Sequence, residues 1–439
     1  MNSTINDVLT FVRENDVKFI RLTFCDLFGM QKNISIMADE LETAFEAGIS
    51  FDAHAIKGFR DVMQSDLLLF PDPATLTVLP WRPGPGRVVR FYCDIKNTDG
   101  SAFELDSRYI LRRIIDKYAK MGLVCMIGAE CEFYLFKTDE DGNPTNIPFD
   151  KGGYLDISPL DKGEDMRREI CLTLEEMGIR PEMSHHEQGP GQNEICFKFS
   201  DALACADNLM AFKSAVKAIA ARNGLYASFM PKPIPGAPGS GLHINLSLSQ
   251  KGLNIFRNMD DEHSNVAEKF IAGILSKTLE STLFLNPIAN SYERFGKFEA
   301  PAFVSWSHQN RSQLVRIPAA GGEKARMELR SPDPAINPYL AFALVMAAGL
   351  EGIENEMILP AAVDADLYIA TEEITKGLAP MPTSLSQAIR LTKDSRFVRD
   401  VVGDDLLTKY LLAKEAEATA YDKTEDKNLF NKERYFEII

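Results

Sequence analysis

Glu130 and Glu132 stand two residues apart in the segment GAECEFYLF, residues 128–136. In an extended strand that spacing sends both carboxylates to one face and turns Cys131 and Phe133 towards the core. Two adjacent like charges are unfavourable unless a cation neutralises them, although a solvated strand face would carry the same pattern. In SHHEQGPGQNEICFKF, Glu187 ends one extended run and Glu194 begins another, with the Gly/Pro loop Gln188 to Gln192 between them. A hairpin there would bring both carboxylates together. Four glutamates on neighbouring strands then make a cradle for two hard cations such as magnesium or manganese, which prefer carboxylate oxygen. His185 and His186 adjoin the loop, where histidines more often serve as hydrogen-bonded structural groups than as ligands.

The run LHINLSLS alternates throughout: Leu242, Ile244, Leu246 and Leu248 on one face, His243, Asn245, Ser247 and Ser249 on the other. This describes a sheet with an apolar back and a polar working face. The preceding PKPIPGAPGSG, residues 231–241, is dense in Pro and Gly and could offer backbone N–H groups to an anion, or simply connect. Arg326, Glu328 and Arg330 alternate with Met327 and Leu329, and Arg294, Arg311 and Arg316 lie shortly upstream. Guanidinium forks match phosphate and carboxylate bidentately, so arginines opposite a glutamate-rich cation site suggest anionic substrates.

The elements that must position these groups can be read around them. Two strand-like runs, VKFIRLTFCD and MQKNISI, flank Leu27-Phe28-Gly29 and predict a hairpin. Met37 to Gly48 reads as a short helix and Arg87 to Ile95 as a strand, completing a small α+β unit. The Pro/Gly-rich run Pro83 to Gly86 and the polar turn Asn97 to Ser101 place a domain boundary nearby. Beyond it, Asp106 can cap a helix carrying Ile110, Leu111, Ile114, Ile115 and Tyr118. A second helix spans about Asp165 to Met177, and a third opens at Asn337-Pro338, cap and first helical residue.

At 439 residues the chain exceeds one hydrophobic core, and 45% hydrophobic with 25% charged residues is an ordinary globular balance. A net charge of −15 argues against tracking nucleic acid or an anionic membrane by bulk electrostatics. Met1 to Glu14 holds no apolar run after a basic start and no stretch reaches the ~20 apolar residues of a membrane span, so a cytoplasmic protein is expected. Seven cysteines without paired spacing read as small buried hydrophobes in a reducing compartment.

In order, FDAHAIKGF with QSDLLLFPD, GAECEFYLF, HHEQGPGQNE, FMPKPIPGAPGSGLH, NRSQLVRIP and RMELRSPDPAINPYLAFA resemble bacterial class I glutamine synthetases, over about Val17 to Ile353. The resemblance implies an α+β fold with an N-terminal β-grasp domain, residues 1–100, and a catalytic domain, residues 101–439, built on a curved antiparallel sheet with surrounding helices. It implies a homo-oligomer, a dodecamer of two hexameric rings, with each active site between neighbouring subunits, and possible nitrogen-regulatory protein partners. The implied reaction is ATP-dependent ligation of ammonia to the γ-carboxylate of glutamate through γ-glutamyl phosphate, giving glutamine, ADP and phosphate. Two or more Mg2+ (or Mn2+) ions per subunit would assist, with ATP as substrate.

Carried onto this chain, the resemblance assigns Glu132, Glu187 and Glu194 to one metal and Glu130, His243 and Glu328 to another. It places Phe199, Ser247, Arg311 and Arg326 at the nucleotide, with Arg311 and Arg316 at the transferring phosphate. Arg294 and Arg330 would hold the carboxylates of the amino acid, with Gly239 and His243 also at the substrate. Asp52 would approach from the neighbouring subunit to orient and deprotonate the amine, with Asp66, Tyr154 and Glu187 nearby, and Glu299 would sit on a closing flap.

The chain also departs from the family. Ala53-His54-Ala55 stands where Gly-Ser-Ser is usual, Pro238 replaces an asparagine, the flap segment RFGKFEAP is one residue shorter, and Ala319 to Gly322 replaces a more polar stretch. All of these surround the substrate and none removes a metal ligand. Two other readings therefore accompany glutamine synthesis: a γ-glutamyl ligase using another amine, and a non-catalytic assembly or regulatory protein, against which the six retained ligands weigh. Tyr368 lies in LYIAT, without the surroundings of the adenylylated loop of one subgroup, so control by that modification is not expected.

Overall fold

A computed structural model describes residues 4–81, 86–257 and 264–439. Most of the Pro/Gly-rich run expected near the domain boundary, residues 83–85, lies outside the described residues.

Helix α1, Ile5–Glu14, starts at a capping box in which Thr4 and Asp7 satisfy each other's backbone N–H, and it buries Val8 and Val12. Strands β1, Val17–Cys25, and β2, Gln31–Met37, form the expected antiparallel hairpin. At its tip Asp26 accepts the N–H of Phe28 and of Met30, each at 2.9 Å. Gly29 there has φ +82°, and a Cβ would lie 2.8 Å from the Ile336 carbonyl oxygen, so only glycine lets the tip rest on the larger domain. The helix expected from Met37 splits at its start: Ala38–Glu40 is a 3-10 turn and α2 proper is Leu41–Glu46. Strands β3, Ile49–Asp52, β4, Asp66–Pro71, β5, Thr77–Val78, and β6, Arg87–Lys96, complete a six-stranded sheet of order β2-β1-β6-β4-β3, with β5 on β6. The central β1–β6 pair is parallel.

Helix α3, Ser107–Lys120, begins at Asp106, whose carboxylate accepts the Arg108 N–H, and buries Ile110, Leu111, Ile114 and Tyr118 as their spacing predicts. The second sheet is built around the long strand β7, Leu123–Thr138. It gathers β8, Pro144–Pro148, β9, Pro181–His186, β10, Gln192–Phe197, β11, Ser200–Asp201, β12, Leu225–Ser228, β13, Leu242–Gln250, β14, Leu253–Asn254, β15, Trp306–His308, β16, Val315–Ile317, and β17, Met327–Leu329. The path through the sheet is β15-β16-β17-β13-β7-β10-β9. Helices α4, Glu164–Glu176, α5, Ala202–Arg222, α6, Asn265–Leu285, and α7, Pro338–Glu354, supply the apolar layer behind it. Gly273 and Gly352 let α6 and α7 touch along their backbones, and Gly349 makes room for the Phe270 ring. Helices α8, Glu372–Thr375, α9, Leu385–Lys393, α10, Arg396–Val402, and α11, Asp404–Lys423, follow.

Buried Arg108 ties the two sheets together, reaching Asp72 at 2.8 Å and Asp94 at 2.6 Å from the small domain and Asp207 of α5 at 2.9 Å. With every guanidinium edge answered, the cost of burying this charge is offset. The seven cysteines are unpaired, and six are buried. Among the described residues no helix is long and apolar enough to cross a membrane.

Candidate active site

Strand register lines up the chemistry. Across β9, β10, β7, β13, β17 and β16, His185 faces Glu194, Glu194 faces Glu132, Glu130 faces His243, Asn245 faces Glu328, and Glu328 faces Arg316. Because these are paired positions on one face of a continuous sheet, their side chains form a polar row over an apolar back. Two clusters result. Glu130, His243 and Glu328 bring one ligand atom each within 4.8 Å of the others, and so do His185, Glu187 and Glu194. His243 Nδ1 is 3.3 Å from Glu130 and 3.7 Å from Glu328, while His185 lies 3.6 Å from Glu187 and 3.8 Å from Glu194. Glu132 sits between the clusters, and its Oε2 accepts Gln192 Nε2 at 2.8 Å and the Gly241 N–H at 2.9 Å. The Pro/Gly loop thus does present a backbone donor to an anion, one belonging to the protein.

Burial, with Glu187 nearby, pushes the Glu132 carboxyl up to about 7. Burial likewise raises Glu194, helped by Glu132 and Glu130, and it raises Glu187. Among the described residues no lysine or arginine forms an ion pair with Glu130, Glu132, Glu187 or Glu194. Crowded carboxylates lacking a basic partner, mixed with imidazole nitrogen, fit hard divalent cations such as magnesium or manganese. Glu328 differs. Burial would raise its carboxyl, but Arg330, His243 and Arg316 outweigh it and hold the group at about 2.

Apart from Glu328, these residues line a cavity of about 450 Å³ that is also lined by Arg294, Arg311, Arg316, Arg326 and Arg330. Arg316 and Arg330 both pair with Glu328. Arg294 is buried and donates to the Ser331 and Pro332 carbonyls at 3.1 and 3.3 Å. Gly239 leaves it room, since a Cβ there would lie 2.6 Å from Arg294 Cγ. Over the mouth runs the segment 294–301, with Phe298 at φ +47° and Glu299 at φ +66°. Non-glycine residues hold that conformation at a cost of about 1–3 kcal/mol each unless neighbours fix it. Here Gln188 Nε2 donates to Glu299 Oε1 at 3.0 Å, and Arg330 donates to the Glu299 carbonyl at 3.3 Å.

Family models match nearly the whole chain: the glutamine synthetase β-grasp domain over residues 16–98 and the glutamine synthetase catalytic domain over residues 104–432. The chain belongs to the glutamine synthetase family. It is 46% identical to a glutamine synthetase of Methanosarcina mazei and 45% identical to one of Clostridium saccharobutylicum, covering 95% of this chain in both and 95% and 96% of those proteins. Among solved structures it resembles a GmaS/ADP complex, with a TM-score of 0.87 and 29% identity over 99% of both chains. A carboxylate–amine ligase fold and chemistry follow from this membership.

The glutamine synthetase fold gathers in one cavity Glu130, Glu132, Tyr154, Glu187, Glu194, Gly239, His243, Arg294, Glu299, Arg311, Arg316, Arg326 and Arg330. Glu328 stands behind them, paired with two of the arginines. Arg326 reaches the row through Asn245, at 3.0 Å, and Asn245 in turn donates to Glu130 at 2.9 Å. Ser247 continues the same face of β13, and exposed Phe199 packs beside Gly128 on β7, so both flank the cavity without lining it. Asp52 and Asp66 do not join this site. They face each other across β3 and β4 in the small domain, where Asp52 accepts the His54 N–H at 2.9 Å. His186 is buried, 2.8 Å from Asp150 and grouped with Asp150 and Asp161 away from the cavity, whereas His185 stands with Glu187 and Glu194 on its wall. Gln188, Gln192 and Tyr134 were not singled out by sequence. Tyr134, whose hydroxyl donates to the Pro238 carbonyl at 2.6 Å, continues the period-two face of Glu130 and Glu132, a signal that was there to use.

Proposed function

We propose that this chain ligates ammonia to the γ-carboxylate of glutamate at the expense of ATP. The observation that carries the reading is the cavity itself, which carboxylates suited to divalent cations line together with five arginines. Glu130, Glu132, His185, Glu187, Glu194, His243 and Glu328 are the groups to hold the cations. Bound there, these ions would neutralise phosphate charge and polarise the transferring group. Arg311 and Arg316 hold the γ-phosphate, and Arg294 and Arg330 hold the carboxylates of glutamate, each as an anion against a guanidinium fork. A glutamate γ-carboxylate oxygen attacks the γ-phosphorus and ADP leaves, giving an acyl phosphate. The amine then attacks the acyl carbon, phosphate departs, and a carboxylate of the site takes the amine proton. The segment carrying Glu299 keeps water from the acyl phosphate.

Since Asp52 and Asp66 lie outside the cavity of their own subunit, we assign them to a neighbour's site in a ring-shaped homo-oligomer, a dodecamer by family resemblance. We place the boundary between the two domains near residue 100. A second reading has support of its own. The resemblance to GmaS, a gamma-glutamylmethylamide synthetase, together with Ala53-His54-Ala55 and Pro238, favours an organic amine as the alternative nucleophile. Mass spectrometry of products from glutamate, ATP, magnesium and either ammonium or a panel of alkylamines separates them. Glutamine as the preferred product supports the first reading, a γ-glutamyl amide the second, and ATP turnover with neither product refutes both.

A further inference from the structure

The catalytic cavity is not the largest hollow described. A second one, of about 560 Å³, lies where the β1–β2 hairpin tip of the small domain meets α5, α11 and the segment 433–439. Its walls carry six cations, Lys32, Lys57, Lys213, Lys217, Lys414 and Arg434, against three carboxylates, Asp26, Glu417 and Glu433. Two of the carboxylates are already engaged: Asp26 is 3.8 Å from Lys32 and Glu417 is 3.0 Å from Lys414. Lys213 and Lys217 stand one turn apart on α5, a spacing at which like charges repel. Among the described residues neither has a carboxylate partner within ion-pair distance. Lys213 donates to the Pro334 carbonyl and Lys217 to the Ile438 carbonyl, so each ammonium, with three donors, keeps others for the cavity. Nothing in the catalytic reading uses this site, and its volume lies within the range of small-molecule pockets, roughly 300–1,000 Å³.

We infer that this interdomain cavity binds a small dianion, a phosphoryl group or a dicarboxylate, held by Lys213 and Lys217 from α5 and by Lys57 and Arg434 from the flanking segments. Burial, reinforced by the neighbouring Lys213 charge, lowers Lys217 to about 8, a conflict that a bound anion relieves. Because Lys57 belongs to the small domain and the other three to the large one, the ligand ties the two domains together. Occupancy therefore strengthens their docking.

The test uses the full chain in a metal chelator at constant ionic strength, titrated with inorganic phosphate or with glutarate and followed by thermal unfolding and calorimetry. The expected result is a saturable rise in Tm of several degrees with at least one probe. The rise should vanish in Lys217→Gln and weaken at least fivefold in Lys57→Gln/Arg434→Gln, whose changes fall on exposed side chains that folding does not need. A response to phosphate alone identifies a phosphoryl ligand, and a response to glutarate alone a dicarboxylate. No response to either probe, or responses equal in wild type and both variants, overturns the inference.

Discussion

Glu132 and Glu328 are the same residue type on one sheet face, yet one holds its proton to about 7 and the other loses it near 2. The difference lies in the partners. Glu132 is answered by neutral donors and crowded by carboxylates, so it awaits a cation from outside. Glu328 is answered by two arginines and anchors them. Glu328→Gln would leave two guanidiniums without their nearest counter-charge, a change expected to destabilise by roughly 3–5 kcal/mol and to lower ligation at least ~100-fold. Thermal unfolding and ADP release measure the two effects. Glu187→Ala should behave differently, abolishing turnover at saturating magnesium while Tm stays within a few degrees of wild type, because it relieves carboxylate crowding instead of stranding a buried cation.

At the scale of elements, Glu299 ties the segment 294–301 to Gln188, Arg311 and Arg330. Removing the Glu299 side chain should loosen closure without touching the cation clusters. Glu299→Ala is therefore expected to hydrolyse ATP with little product, and the ratio of ADP to amide formed reads this directly. The start of α3 offers a test of packing. Burial, with Asp94 adding to it, raises Asp106 to about 7, well above its value in an unfolded chain. Such a group binds its proton more tightly when folded, so its contribution is complete at low pH and is lost as pH rises from about 4 to 7. Asp106→Asn keeps a cap of similar quality and removes the ionisation. The Tm of the variant relative to wild type should rise between pH 5 and pH 8, and a constant difference would show that Asp106 does not ionise in this window.

For the whole molecule, the separation of Asp52 and Asp66 from the cavity means that one subunit lacks part of the proposed amine pocket. Mixing inactive Asp52→Ala subunits with inactive Arg330→Ala subunits should then restore a fraction of the activity, because some sites combine an intact Asp52 with an intact cavity. Mass measurement of the mixed assemblies alongside the assay decides the matter: no recovery in proven mixtures means each subunit works alone. The interdomain cavity acts at the same scale, where a ligand between the hairpin tip and the helices of the larger domain would stiffen the docking that Arg108 already supports.

Periodicity and punctuation determined a good deal from the sequence alone. The hairpin around Gly29, the caps at Asp106 and Asn337, the face shared by Glu130 and Glu132 and the alternation of Leu242 to Ser249 are local consequences of strand and helix geometry, so they were legible. The motifs from residue 51 to 343 carried the family and, through it, thirteen of the residues that line the cavity. What the sequence could not state was who faces whom. The parallel β1–β6 pair and the pairing of β7 with β13, which sets Glu130 against His243 and brings the Gly241 N–H to Glu132, depend on register between strands far apart in the chain, and the arginine pair on Glu328 depends on burial. Register and burial are set by tertiary packing. They alone decided that Glu132 meets neutral donors while Glu328 meets two arginines.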